Sequence, residues 1–124
     1  AETPESDSLS AANKRVKNIL EKSETKISNT KFDISLLVEP EEKLLASEIE
    51  NYEKIVLPLF KKGSYNKGLL KLTGLKGSID GFFDNVMVNC SDDILRRNRL
   101  FLLSRLANLF HQVADISLLV KNKN

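Results

Sequence analysis

Apolar residues recur at helical spacing along most of the chain. Between residues 44 and 60 they are separated by three or four positions, and the same period returns over residues 79–87 and 95–113. Alternating runs of β-branched residues joined by hairpin turns do not occur in the sequence. The pattern therefore predicts an all-α fold, a bundle of five to six helices joined by short connections.

Helix caps and breakers set the limits of these elements. Pro40 suits the first turn of a helix whose leading acids face the positive end of the dipole, and Gly63 suits a left-handed end. The sequence predicts helices over residues 10–26, 40–62, 65–72, 79–87 and 91–114, with a final turn over 115–119. Residues 10–120 are expected to form one domain, between a disordered or vector-derived segment over 1–9 and a polar tail over 121–124.

The charged residues are segregated along the chain. Residues 1–60 carry twelve acids and eight bases, whereas residues 61–124 carry five acids and eleven bases. Residues 61–76 contain no acid and five lysines, which are Lys61, Lys62, Lys67, Lys71 and Lys76. Such a stretch suits an anionic partner such as a nucleic acid, although it is also common on solvated surfaces.

The sequence offers little catalytic chemistry. Cys90 and His111 are the only cysteine and histidine, which excludes an internal disulfide and a four-ligand zinc site. His111 is predicted on the solvent side of its helix. The neighbouring Asp92 and Asp93 are explained by compensation of a helix dipole. No active site is therefore predicted in this chain.

The apolar runs and the first residues of the chain bear on membrane insertion, targeting and processing. No apolar run approaches the ~18 residues of a membrane span. The first residues are acidic and polar, unlike a signal or transit peptide. Because the chain begins with Ala1 rather than Met, we expect a processed chain or part of a longer protein.

Arg99 is predicted to be structural. At 100° per residue it falls within the apolar stripe of the last helix, beside Leu95 and Leu102. A guanidinium in that position needs an anionic partner. Asp80 and Asp84 on the preceding helix are the predicted partners.

Other side chains are candidates for contact with RNA. Arg97 and Phe101 fall on the side of the last helix away from the core, where an arginine and an exposed ring can stack on an unpaired base. The alternative is that Phe101 packs on another helix or domain. Tyr65, Asn66 and Arg96 complete the candidates for base contacts, while the five lysines of residues 61–76 are candidates for phosphate contacts.

Several blocks of sequence resemble a known family. The most specific are Phe82-Phe83-Asp84-Asn85-Val86-Met87-Val88 and Val113-Ala114-Asp115-Ile116-Ser117-Leu118-Leu119. With Asp93-Ile94-Leu95-Arg96 and the residues around 12–20, they resemble the C-terminal end of the β subunit of bacterial glycyl-tRNA synthetases. The resemblance covers about residues 10–120. That region is an anticodon-binding domain of the DALR type, and this chain has Ile94 at the Ala of the name.

The resemblance implies a helical domain that holds the anticodon arm of glycine tRNA in the cytoplasm. It also implies partners, namely the rest of a longer β subunit and an α subunit in a heterotetramer. The site that uses ATP, Mg²⁺ and glycine belongs to the α subunit, so this chain is expected to bind no cofactor, metal or membrane and to catalyse nothing alone.

A different class of function stays open. A helical docking module that mainly contacts other parts of the synthetase would show an exposed apolar patch, including Phe101, Leu118 and Leu119, and no anticodon preference. An autonomous enzyme would need a nucleophile–base pair or a metal cluster that the sequence does not contain.

Overall fold

The computed structural model describes the backbone of residues 4–23, 32–63, 67–68, 70–71 and 74–122, and side chains between residues 10 and 113 within those ranges. These residues form four α-helices and one 3-10 turn. The helices are α1 (Pro4–Lys22), α2 (Pro40–Lys61), α3 (Leu75–Asn85) and α4 (Asp93–Asn122), and the 3-10 turn is Ile34–Leu36. The all-α prediction is confirmed.

Four helices have defined limits among the described residues, fewer than the predicted five to six. The final turn over 115–119 is the end of α4, which runs on to Asn122 because neither proline nor glycine interrupts it. Of the short helix predicted over 65–72, the structure describes Lys67, Gly68, Leu70 and Lys71, and all four are helical. Helix α1 begins at Pro4 rather than Ser10, since proline is tolerated in a first turn.

Helix α2 has the predicted limits. It begins at Pro40, where the backbone N–H of Glu39 donates to Glu42 Oε1 at 3.0 Å. It ends at Lys61, and Gly63 follows with a φ of +84°. A left-handed residue at this point lets the chain leave the helix, and glycine accepts that conformation without a Cβ clash.

The core lies where α1 and α2 each pack against both α3 and α4. Helix α4 is surrounded on several sides, as its spread of apolar positions predicts. The fully buried apolar residues are Val16, Leu45, Ile49, Val56, Leu75, Phe82, Leu102, Leu103 and Leu106. Met87 departs from the predicted stripe and is 70% exposed, because α3 ends at Asn85 and Val86 is extended.

The segment before α2 is fixed to α4 by a pair of hydrogen bonds. The Asp33 N–H donates to Asn98 Oδ1 at 2.8 Å, and Asn98 Nδ2 donates to the Asp33 carbonyl at 3.0 Å. Asn98 is buried, and a buried amide needs hydrogen-bond partners for both of its polar atoms. The backbone of Asp33 provides both. The 3-10 turn is thereby held against α4.

Candidate nucleic-acid interface

The lysines of residues 61–76 face solvent wherever the structure describes them. Lys61 and Lys62 are exposed at the end of α2, Lys67 and Lys71 are exposed in the short helical stretch, and Lys76 is exposed on α3. Tyr65 and Asn66 lie outside the described residues. Exposed ammonium groups of this kind contact phosphates without reading sequence. We call these five lysines the lysine segment.

Lys76 has a carboxylate partner. Its Nζ lies 2.9 Å from Asp80 Oδ2, one helical turn along α3. The hydrogen bond from Lys76 to Asp80, and then the charge of Asp80, raise the pKa of Lys76. Lys76 therefore stays charged at neutral pH, with its carboxylate beside it.

The predicted RNA-contacting arginines of α4 are engaged within the chain. Arg96 donates to the Cys90 carbonyl at 2.9 Å and pairs with Asp93. Arg97 Nε lies 3.1 Å from Asp93 Oδ2 and its side chain is half exposed. One aspartate thus holds both guanidinium groups against the first turn of α4, and an RNA contact by either must compete with this pairing.

Phe101 is half-buried rather than exposed. Its ring stacks on Phe32, with centroids 6.1 Å apart and planes inclined by 20°. Arg105 also lies over the Phe32 ring, 5.4 Å from its centroid, and its Nη2 is 2.7 Å from Glu53 Oε1. Phe101 therefore packs within the fold, on the segment before α2 rather than on another helix or domain.

Arg99 is buried and paired as predicted, but the predicted partners are wrong. Its Nη2 lies 2.9 Å from Glu42 Oε1, and Nη1 donates to the Met87 carbonyl at 2.7 Å. Asp80 instead pairs with Lys76, and Asp84 is exposed on α3. The partner was missed because Glu42 has a role in the local cap of α2 that already explains its presence.

The charge of Arg99 is maintained by Glu42. Burial opposes the charged guanidinium, but the hydrogen bond and the charge of Glu42 outweigh burial and raise the pKa of Arg99. Arg99 therefore serves the fold, and its guanidinium is not available to a ligand.

The first turn of α4 carries the run Asp93-Ile94-Leu95-Arg96. Asp92 precedes it, and Asp92 Oδ1 accepts from the N–H groups of Ile94 and Leu95 at 3.0 and 3.1 Å. Ile94 is 62% exposed, so an isoleucine in place of a smaller side chain is accommodated without crowding the core.

Neither a metal site nor a membrane-spanning helix is found among the described residues. No group of three or more His, Cys, Asp or Glu side chains among them is close enough to hold a metal ion. His111 is exposed on α4, as predicted. No helix within the described part of the chain is long and apolar enough to cross a membrane.

Comparison with known proteins identifies the family. The model of the DALR anticodon-binding domain matches residues 9–118. The chain belongs to the DALR anticodon-binding domain family. Similar proteins include the glycine–tRNA ligase β subunits of Mannheimia succiniciproducens, 55% identical over 113 residues, and of Glaesserella parasuis, 54% identical over 113 residues. The β subunit of Vibrio cholerae is 49% identical over 117 residues.

These relatives are much longer than the chain. The matches cover 91–94% of this chain but only 16–17% of each relative. The DALR domain is therefore similar to only a part of each relative. The activity of the whole relative cannot be assigned to this chain on that basis.

Proposed function

We propose that this DALR domain is the tRNA-binding part of a glycyl-tRNA synthetase β subunit and holds the anticodon arm of glycine tRNA. Family membership over residues 9–118 carries this proposal. The lysine segment supplies the electrostatic attraction that a phosphate backbone requires. Glycine attachment would be carried out in the cytoplasm by the complete enzyme, where an α subunit would use ATP, Mg²⁺ and glycine.

The exposure of the candidate residues supports a smaller RNA footprint than the sequence suggests. The lysine segment is exposed where described, whereas Arg96 and Arg97 are paired with Asp93 and Phe101 is stacked on Phe32. Contacts made by the lysine segment need no rearrangement of the fold. We therefore place the first phosphate contacts there rather than on α4.

Binding to glycine tRNA at two salt concentrations tests this function. The control is the same transcript with its anticodon replaced. We expect the replacement to weaken binding about tenfold, or ~1.4 kcal/mol. Equal binding of both transcripts would mean that the domain supplies charge but does not recognise the anticodon, and no binding of either would contradict the proposed function.

A second function is favoured by exposed apolar side chains at one end of the bundle. Ile34, Val38, Met87 and Ile94 are each more than half exposed, and we call them the apolar end. Ile34 follows Asp33, which bonds Asn98, and Ile94 lies one helical turn before Asn98 on α4. The Val38 N–H donates to Glu42, which also accepts from Arg99, and Arg99 donates to the Met87 carbonyl. Because the relatives are about six times longer than this chain, we propose that the apolar end contacts the rest of the β subunit.

This docking role has its own test. Ile94→Asp should weaken association of the chain with the remaining part of the Mannheimia β subunit, measured by calorimetry. Ile55→Asp is the control, because Ile55 is an exposed apolar residue of α2 outside the apolar end. Equal affinities for both variants would contradict docking through this surface. The patch expected from the sequence is not the apolar end, since Phe101 is stacked on Phe32 and the side chains of Leu118 and Leu119 lie outside the described residues.

A further inference from the structure

A cleft of about 410 Å³ opens between α1 and α3. Helix α1 lines it with Ala11, Ala12 and Arg15, and α3 lines it with Lys76, Asp80 and Phe83. Its volume falls within the ~300–1,000 Å³ of ordinary small-molecule sites. The two alanines leave this space open, because any larger side chain at those positions would project into it. We call it the α1–α3 cleft.

Arg15 of α1 and Phe83 of α3 together form a surface for stacking in the cleft. The Arg15 guanidinium lies 4.2 Å from the centroid of the Phe83 ring. Phe83 is itself fixed edge-on against the fully buried Phe82, with centroids 5.7 Å apart and planes at 72°. Both aromatic rings and guanidinium planes stack on unpaired bases. The pair of Arg15 and Phe83 thus offers a planar, positively charged layer whose position is set by the contact of Phe83 with the core.

Asp80 and Lys76 of α3 add a hydrogen-bond acceptor and a cation to the lining of the cleft. Asp80 accepts from Lys76 through Oδ2, and both side chains are 51% exposed. A carboxylate has two acceptor oxygens, so the bond to Lys76 leaves Asp80 able to accept from a ligand as well. Carboxylates accept from the exocyclic amino group of a base such as cytosine. Uracil has a carbonyl oxygen where cytosine has that amino group, and this oxygen would be repelled.

We propose that the α1–α3 cleft binds one unstacked nucleobase that carries an exocyclic amino group. Arg15 and Phe83 stack on its face, Asp80 accepts from its amino group, and Lys76 contacts the adjoining phosphate. This inference rests on the proposed function and adds to it the place where a base is read. Sequence reasoning missed it because Arg15 and Phe83 are far apart in the chain, and Asp80 was assigned to an ion pair with Arg99.

Two charge-matched variants test the role of Asp80. Asp80→Asn removes the carboxylate within the cleft, and Asp84→Asn removes another exposed carboxylate one turn further along α3. Each is titrated with glycine tRNA transcripts in which one of the two anticodon cytosines is changed to uracil. Glycine codons begin with two guanines, so every glycine anticodon carries these cytosines.

We expect the unchanged chain and Asp84→Asn to bind the original transcript about tenfold more tightly than one of the uracil transcripts. The affinities of Asp80→Asn for these two transcripts should agree within twofold, because an amide can both donate to uracil and accept from cytosine. Retained discrimination in Asp80→Asn would overturn the cleft proposal while leaving tRNA binding intact. Loss in both variants would show a general charge effect and would also overturn it. Absence of any tRNA binding by the unchanged chain would instead defeat the proposed function itself.

A second pair of variants tests occupancy of the cleft directly. Ala11→Trp places a ring in the cleft, whereas Asn18→Trp places one on an exposed position of α1 outside its lining. Ala11→Trp should lower the affinity for the original transcript about tenfold, and Asn18→Trp should change it less than twofold. Equal affinities for the two variants would show that no base enters the cleft, and circular dichroism confirms that both keep their helices.

Discussion

Arg99 and Glu42 join three parts of the chain at one buried point. Glu42 Oε1 accepts from the Val38 and Glu39 N–H groups at 3.3 and 3.0 Å and from Arg99 Nη2 at 2.9 Å. Arg99 also holds the Met87 carbonyl. The start of α2, the connection after α3 and the first half of α4 therefore depend on a single carboxylate. Glu42 is 0% exposed, so loss of either partner leaves a buried charge uncompensated.

We expect Glu42→Ala to lower the free energy of unfolding by about 3–5 kcal/mol. Urea denaturation measures the loss. Glu50→Ala is the control, because Glu50 pairs with Lys54 at 3.1 Å on the exposed face of α2 and should cost less than about 1 kcal/mol. Similar small losses in both variants would mean that water reaches Arg99 once Glu42 is removed.

Asn98 is a second residue whose two polar atoms are committed to a distant backbone group. Asn98→Leu leaves the Asp33 N–H and carbonyl without these partners and should cost about 1–3 kcal/mol of unfolding free energy. Asn98→Asp keeps the acceptor but sets a buried carboxylate oxygen against the Asp33 carbonyl, so it should also lower the free energy of unfolding. Asn108→Leu on the exposed face of the same helix is the control, and a loss as large as that of Asn98→Leu would contradict this role.

At the scale of helices, the features that sequence predicts are those with local causes. Both ends of α2 follow from Pro40 and Gly63, which act within a few residues of themselves. The end of α3 does not, because apolar spacing continues through Met87 although the backbone has already become extended at Val86. A periodic pattern identifies a helix but does not locate its last turn unless a breaker or cap marks it.

Two glycines provide a test of these local causes. Gly63 has a φ of +84° with no atom within 4 Å of an added Cβ, so Gly63→Ala should cost about 1 kcal/mol from backbone strain alone. Gly77 lies within α3, also with open space, and Gly77→Ala should raise stability by about 0.5–1 kcal/mol. The midpoint of thermal unfolding should therefore fall for Gly63→Ala and rise for Gly77→Ala. A shift in the same direction for both would contradict the left-handed conformation of Gly63.

The candidate site was less predictable than the helices because its contacts join distant parts of the chain. The lysine segment is visible in the sequence as a run of like charge. The stacking of Phe101 on Phe32 and the approach of Arg15 to Phe83 depend on which helices pack together. Helical spacing places a side chain on a face of its own helix, but it does not say what covers that face.

At the scale of the whole molecule, the acids and lysines that the sequence separates also differ in their exposure to a binding partner. Two acids of the first half form ion pairs within the fold, Glu42 with Arg99 and Glu53 with Arg105. The lysine segment is exposed where described, and the only pairing shown for it is that of Lys76 with Asp80. The net charge of +2 therefore understates the positive potential that an approaching phosphate backbone meets on this side.

Removing two charges from the lysine segment tests whether that potential acts on RNA. Lys67→Ala with Lys71→Ala should weaken binding of glycine tRNA and reduce the slope of log affinity against log salt by about 1.4–1.8, because each phosphate contact contributes ~0.7–0.9. The control is Lys43→Ala with Lys54→Ala, which removes the same net charge from the exposed surface of α2. If both double variants changed the slope equally, net charge rather than position would govern the attraction. A change confined to Lys67 and Lys71 would instead mean that phosphates lie against the lysine segment, which ends at Lys76 on the edge of the α1–α3 cleft.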